Sequence, residues 1–372
     1  MAENINPPKK NKDTTTAKEA PFLAIKGFIM GSADIVPGVS GGTMALILGI
    51  YERLLNAIKS VDIEFIKNLF TFKWKAAFGQ LHIFFLGILF TGIFSALAFF
   101  TKVVPLQIYM FTHPEIVYSL FFGLIVGSIY ILYKTLEAFK TKEIIFLLVG
   151  IGFGLWIVNL VPADTPDHPL FVLLSGAIAI CAMILPGISG SYLLLIMRKY
   201  DYLLSHIGMI GGEETMDGII GLFPFMVGAV VGLALFSRFL SWLLARYHAQ
   251  TISVLIGFLI GSLFVIWPFQ HREFVEQVRE VEEVSITSER VQELQQNPNE
   301  NLPEFERLGE QTSLETIEVL TVKKKLIHSE PYIPGSLGST GEENPNVWGG
   351  VIGMIIGVVL VGGIDRLRET NE

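Results

Sequence analysis

Charge is what this chain has least of. Only 17% of its 372 residues are Asp, Glu, Lys or Arg, against about 25% in ordinary soluble chains. With 51% hydrophobic residues and a mean hydropathy of +0.54, too little polar material remains to cover a water-facing surface. That shortage excludes a soluble enzyme, a nucleic-acid binder and an intrinsically disordered chain. Cysteine is almost absent. Cys181 alone allows no internal disulfide, and it sits in an apolar run as a small packing residue. No nucleotide P-loop of the form GxxxxGK[ST] occurs. His82, His113 and His206 lie at the edges of apolar runs without metal-ligand spacing, so no metal or cofactor is assigned. The start lacks the short apolar core and small-residue cleavage site of an export signal. Residues 1–20 are polar and Lys-rich, with Pro7 and Pro8, and read as a disordered cytosolic tail.

What the chain does have is long apolar runs. Ile83–Phe100, Ile116–Tyr133, Ile144–Val161, Ile219–Phe236, Ile252–Pro268 and Val347–Ile364 are each long enough to cross a bilayer as helix. They are continuously apolar rather than alternating, which disfavours an outer-membrane barrel. The formal charge of −8 is unevenly spread. Residues 269–346 carry sixteen Glu against seven Lys or Arg, a net of −9, which leaves the rest of the chain at +1.

Internal repetition is the next signal. Residues 33–58 (ADIVPGVSGGTMALILGIYERLLNAI) align without a gap, over 26 positions at an offset of 149, with residues 182–207 (AMILPGISGSYLLLIMRKYDYLLSHI). The offset pairs Pro37 with Pro186, Gly38 with Gly187, Ser40 with Ser189, Gly41 with Gly190, Tyr51 with Tyr200 and Glu52 with Asp201. Further on, GLIVGS at Gly123–Ser128 is echoed by GFLIGS at Gly257–Ser262.

Each half opens with an apolar run of about fifteen residues, cut by Pro-Gly-x-Ser-Gly and followed by a second such run. Fifteen helical residues reach only about 22 Å, short of a hydrocarbon core about 30 Å thick. Lysines and arginines flank the first element on both sides (Lys9 to Lys26, then Arg53 to Lys75), and both flanks therefore favour the cytoplasm. A re-entrant hairpin satisfies that better than a kinked crossing. Three crossings then separate the two breaks, an odd number, so the second hairpin opens from the other side. The loop charges agree nearly throughout; Arg198–Lys199 is the conspicuous exception.

The expected architecture is an all-α polytopic membrane protein of two inverted-topology repeats. Each has a re-entrant hairpin broken at PGxSG plus three transmembrane helices, the arrangement of secondary transporters. The chain divides into the tail (1–20), repeat 1 (21–161), the first part of repeat 2 (170–268), an acidic extracytoplasmic insert (269–346), a last transmembrane helix (347–364) and a cytosolic tail (365–372). Within the insert, Phe274, Val278, Val281, Val291 and Leu294 suggest an amphipathic helix and IEVLTV a strand.

Irregular backbone at membrane depth is tolerated only where protein or a watery cavity satisfies it. Pro37 and Pro186 end the half-helices; Gly38, Gly41, Gly42, Gly187 and Gly190 let backbone approach another group closely. Ser40, Thr43, Ser189 and Ser191 can cap the helices that follow, whose free N–H groups suit an anion such as phosphate. The same residues would also serve to cap and pack a buried tip. Asp34, opposite Met183 in the other copy, is a carboxylate inside an apolar run and a candidate for a coupling proton or sodium; pairing or local capping is the alternative. Glu52 and Asp201 recur at the hairpin mouths, where interfacial anchoring competes with gating. Arg53 could attract a phosphate or serve in gating at the inner mouth, and it also fits ordinary positive-inside anchoring. Arg198, misplaced by the charge rule, either attracts a phosphate or snorkels.

Together, ADIVPGVSGGTMALILGIYERLL and MILPGISGSYLLLIMRKYDYLL resemble the bacterial polyprenyl-phosphate transporter family. The likeness spans about Phe22–Pro268 plus the last run. It implies a flippase of the bacterial cytoplasmic membrane that returns undecaprenyl phosphate from the outer to the cytoplasmic leaflet; the charge pattern puts both termini inside. The resemblance implies headgroup contacts from Asp34, Pro37, Gly38, Ser40, Gly41, Gly42 and Thr43, and from Pro186, Gly187, Ser189, Gly190 and Ser191. A secondary transporter of a small soluble anion is the nearer alternative. An undecaprenyl-pyrophosphate phosphatase is the further one, because no His closely follows either serine and no span holds paired glutamates.

Overall fold

The structure is a computed structural model. It describes residues 13, 15–36, 39–79, 81–136, 140–160, 163, 165–296, 300, 302–313, 315–335 and 345–369. Helices dominate, in the order α1 (Ala20–Asp34), α2 (Gly41–Ile47), α3 (Tyr51–Lys59), α4 (Ile63–Phe70), α5 (Trp74–Phe78), α6 (Ile83–Lys102), α7 (Leu106–Thr112), α8 (Pro114–Lys134), α9 (Thr141–Val158), α10 (Pro169–Ile184), α11 (Gly190–Ile196), α12 (Lys199–Gly208), α13 (Thr215–Arg246) and α14 (His248–Ser262). Then follow β1 (Gln270–Ser285), α15 (Glu289–Gln296), β2 (Glu304–Gln311), β3 (Thr316–Pro331) and α16 (Val347–Glu369).

Among the described residues, α6, α8, α9 and α13 are long and apolar enough to cross a membrane. The apolar window of α13 is only 11% buried, and Phe223, Val230 and Leu235 stand exposed along it. So much outward apolar surface is stable only against lipid. This is a polytopic membrane protein. The crossing expected at Ile252–Pro268 is shorter than its run: α14 stops at Ser262, and turns follow to Ile266.

The chain forms two compact units. The first holds both breaks, and in it the duplication is written into the secondary structure. Adding 149 to the bounds of α2 gives those of α11, and α1 and α10 begin at equivalent residues. Even the turn after the short helices repeats: Gly49 has φ +67°, and its counterpart Arg198 has φ +50°. The halves interlock through the echoed glycines. Gly257 and Gly261 of α14 press on Gly150 and Gly154 of α9, while Gly127 of α8 rests on Val358 of α16. Each echoed helix thus packs on the last helix of the other half, because missing side chains there let helix axes approach closely.

The second unit contains the insert, and here the all-helical expectation fails. β1, β3 and β2 form an antiparallel sheet in that order. The IEVLTV strand is present within β3, and Val291 and Leu294 do lie on a helix, α15. Phe274, Val278 and Val281, however, lie on β1. Their spacing mimics a helix because β1 carries an extra residue, Arg279, between Val278 and Glu280, and that bulge shifts the period-2 alternation by one. The distant partner strand wins over local periodicity, aided by β-branched Val275 and Val284. Val291, Phe305, Val319 and Val322 form this unit's small core, and Arg290 ties its helix to the sheet through Glu306 (2.7 and 2.8 Å) and Glu282 (2.7 Å).

Candidate functional site

Two serines end the breaks. Ser40, in extended conformation, accepts from Gly42 N–H (3.1 Å) and starts α2; Ser189 accepts from Tyr192 N–H (3.4 Å) and starts α11. Both helices are seven residues long, so individual N–H groups, more than a summed dipole, decide what binds there.

The breaks meet. Helix α10 ends with carbonyls that have no partner in their own helix, and the other half supplies donors. The Ser40 hydroxyl donates to Met183 O (3.3 Å) and Leu185 O (3.5 Å), and the Tyr51 hydroxyl donates to Ile184 O (3.0 Å). In return, Gly187 N–H donates to Thr43 Oγ1 (2.9 Å). Gly187 has φ +80°, a conformation that only glycine adopts cheaply. A Cβ on Gly42 would sit 2.5 Å from Ile184 O, so this junction closes only around a hydrogen atom.

The two breaks are not equivalent, which corrects the symmetric picture drawn from the repeat. In the first, Gly41 N–H donates to the Asp34 carboxylate (2.6 Å); a resident anion already occupies the start of α2. Ser40 and Thr43 are buried and committed to the junction. In the second, the hydroxyls of Ser189 and Ser191 bond, among the described residues, only each other (2.9 Å), apart from the cap to Tyr192. The N–H groups of Gly190 and Ser191 have no acceptor among the described residues. Pro186 is buried beside them. Pro37 and Gly38 lie outside the described residues.

The hairpin mouths are fastened by cations. Arg53 pairs with Glu19, donates to Thr15 Oγ1 (2.6 Å), lies 3.9 Å from Asp13 and stacks 4.5 Å over the Phe85 ring. The last part of the expected tail is therefore held against the first hairpin. Arg198 is exposed and keeps the left-handed conformation despite its side chain. Asp201 and Glu52 are exposed, and Glu52 is 4.0 Å from His248.

Residues 30–284 match the undecaprenyl phosphate translocase-like family. The match takes in both breaks. The chain belongs to that family. It is 41% identical over 251 residues to the polyprenyl-phosphate transporter of Vibrio cholerae, covering 66% of this chain and 77% of that one. With the polyprenyl-phosphate transporter of Staphylococcus aureus it shares 31% identity over 259 residues, covering 66% and 85%. No solved structure matches the chain.

One residue of this family member, marked in the sequence only as part of the Arg198–Lys199 charge exception, proves to be buried. Lys199 is 1% exposed; its ammonium donates to Asp167 (2.5 Å) and Thr165 O (3.1 Å) and lies 5.5 Å from the rings of Phe171 and Tyr202. The repeat carried the signal, since Lys199 aligns with Ile50, which is itself 3% exposed. A lysine at a core position needs its partner. Asp167→Ala is therefore expected to destabilise the protein by about 2 kcal/mol, while Lys199→Met, which removes the buried charge, costs less than about 1 kcal/mol. Thermal unfolding in detergent checks the order; equal losses would mean that the pair is not what buries Lys199.

Proposed function

We propose that this chain carries polyprenyl phosphate across the bacterial cytoplasmic membrane, from the outer leaflet to the inner. The reading takes the two halves as inverted repeats and the broken elements as re-entrant hairpins entered from opposite faces. Residues 269–346 are then extracytoplasmic, and both termini are cytoplasmic.

A bare phosphate cannot enter hydrocarbon without large cost, because burying an unpaired charge costs many kcal/mol. The family membership supplies the substrate class, and the open donors of the second break supply the chemistry. Gly190 and Ser191 N–H and the Ser189 and Ser191 hydroxyls would replace water around the headgroup, while the prenyl chain stays in lipid. Arg198, retained at about 1 kcal/mol of backbone strain, would draw the headgroup in from the mouth. The observation that carries this assignment is that, among the described residues, the Gly41 and Gly42 N–H groups and the Ser40 hydroxyl of the first break already donate within the protein itself.

Asp34 supplies a coupling mechanism. Its carboxylate and an arriving phosphate compete for the same Gly41 N–H. A proton or sodium ion on Asp34 neutralises the resident anion and frees that donor. Substrate can then bridge the junction from one break to the other.

Leaflet exchange of undecaprenyl phosphate in reconstituted vesicles tests the function directly. Exchange of the lipid is expected, with no uptake of inorganic phosphate; uptake without lipid exchange would replace this reading with transport of a soluble anion. In the same vesicles, Asp34→Asn is expected to abolish the response to an imposed proton or sodium gradient. A gradient response equal to wild type would remove Asp34 from coupling.

A further inference from the structure

Away from the junction, α3 and α13 enclose a cleft of about 190 Å³ lined by Glu52, Leu55, Asn56, Lys59, Ser241, Leu244 and Ala245. That is well above the ~15 Å³ that admits one water. Of its lining residues Lys59 is the cation, and the charge of Arg238, outside the lining, acts on it. Arg238 lies one turn before Ser241 on α13 and donates to Ala234 O (2.7 Å) and to Val61 O (3.4 Å), just past the end of α3. Among the described residues neither cation has a carboxylate partner. Partial burial and then the Arg238 charge hold the Lys59 ammonium, at the flank of the membrane part, below its ordinary range. Like charge near a partly buried ammonium disfavours its charged form, and an anion joining the two cations would relieve that. Among the described residues, Ser241 Oγ is buried without a hydrogen-bond partner. Asn56 adds an amide. Glu52 stands two turns away along α3, about 10 Å, with its own neighbour in His248. The remaining wall, Leu55, Leu244 and Ala245, is apolar.

We infer that this cleft is a second phosphate-binding site, in which Lys59, Arg238, Ser241 and Asn56 hold a phosphate group. The apolar wall beside it suits a phosphate carrying a hydrocarbon chain. The inference rests on the transport reading only for its choice of ligand; the unpaired cations and the orphaned hydroxyl call for an anion independently. In the transport reading the cleft is where the headgroup waits at the mouth of the first hairpin, after leaving the junction or before entering it.

The test uses the full chain with its single cysteine removed (Cys181→Ala) and a reporter placed on the cleft wall (Ala245→Cys). Alkylation by a maleimide is followed with farnesyl phosphate, farnesol or inorganic phosphate present. Farnesyl phosphate is expected to slow alkylation at least tenfold and farnesol not at all; adding Lys59→Gln with Arg238→Gln should remove the protection. Equal protection by inorganic phosphate would support the site and identify free phosphate as sufficient. Protection by neither phosphate, equal protection by farnesol, or protection that survives the loss of both cations would overturn it. Repeating the measurement with Ser189→Ala and Ser191→Ala separates the two readings. Protection is expected to persist there, so loss of lipid exchange and loss of the cleft site can be told apart.

Discussion

Replacing Ser189 and Ser191 together by alanine is expected to lower leaflet exchange of undecaprenyl phosphate roughly a hundredfold and leave the fold nearly intact. Each hydroxyl that donates to a charged group is worth about 1.5–3 kcal/mol, and about 2.8 kcal/mol is a factor of a hundred. The structural cost is small, because the two hydroxyls chiefly bond each other, and the Ser189 cap is long at 3.4 Å. Losing it costs about 1 kcal/mol or less. Ser40→Ala should show the opposite profile. That hydroxyl caps α2 and also satisfies carbonyls at the end of α10, so its loss lowers the unfolding temperature as well as exchange. The two variants compared by thermal unfolding and vesicle exchange decide the assignment. If Ser189→Ala/Ser191→Ala exchanges lipid at the wild-type rate, the second break is not the headgroup site.

Gly42→Ala is expected to damage the protein severely through a single added methyl group. The new Cβ would meet Ile184 O at 2.5 Å and Met183 O at 3.0 Å. Neither carbonyl can swing aside cheaply, since Tyr51 and Ser40 donate to them. Overpacking of this kind costs about 3 kcal/mol, which lowers the unfolding temperature by roughly 5 °C or more, and lipid exchange should fall with it. Gly208→Ala, at the end of α12 with no atom within 4 Å of its Cβ position, is the matched control. It should be neutral, or stabilising by up to about 1 kcal/mol. Equal behaviour of the two variants would mean that the breaks do not close on each other as tightly as described.

Much of this was legible in the sequence because membranes simplify the problem. Long uncharged runs can only be helices where no water is available to satisfy backbone groups, and α6, α8, α9 and α13 appear where Ile83–Phe100, Ile116–Tyr133, Ile144–Val161 and Ile219–Phe236 lie. The duplicated motif placed Ser40 and Ser189 where α2 and α11 start. Its alignment also carried more than its motif letters. Gly49 opposite Arg198 marked a left-handed turn, and Ile50 opposite Lys199 marked a buried position. The insert was read least well, because a bulged strand paired with a distant segment leaves no local period to find.

The amino-acid order by itself determined that the chain lives in a membrane, that it is built twice, and that each copy is interrupted by proline, glycine and serine. These follow from hydropathy and local backbone chemistry, which depend on near neighbours. Only the tertiary structure decided how the copies divide the work. Two nearly identical motifs cannot announce that one will spend its hydroxyls on the other's carbonyls, because that choice depends on which helix end arrives opposite which side chain. Packing made Asp34, Ser40, Thr43 and Tyr51 into a filled support, and left Ser189, Ser191 and the N–H groups beside them with donors to spare.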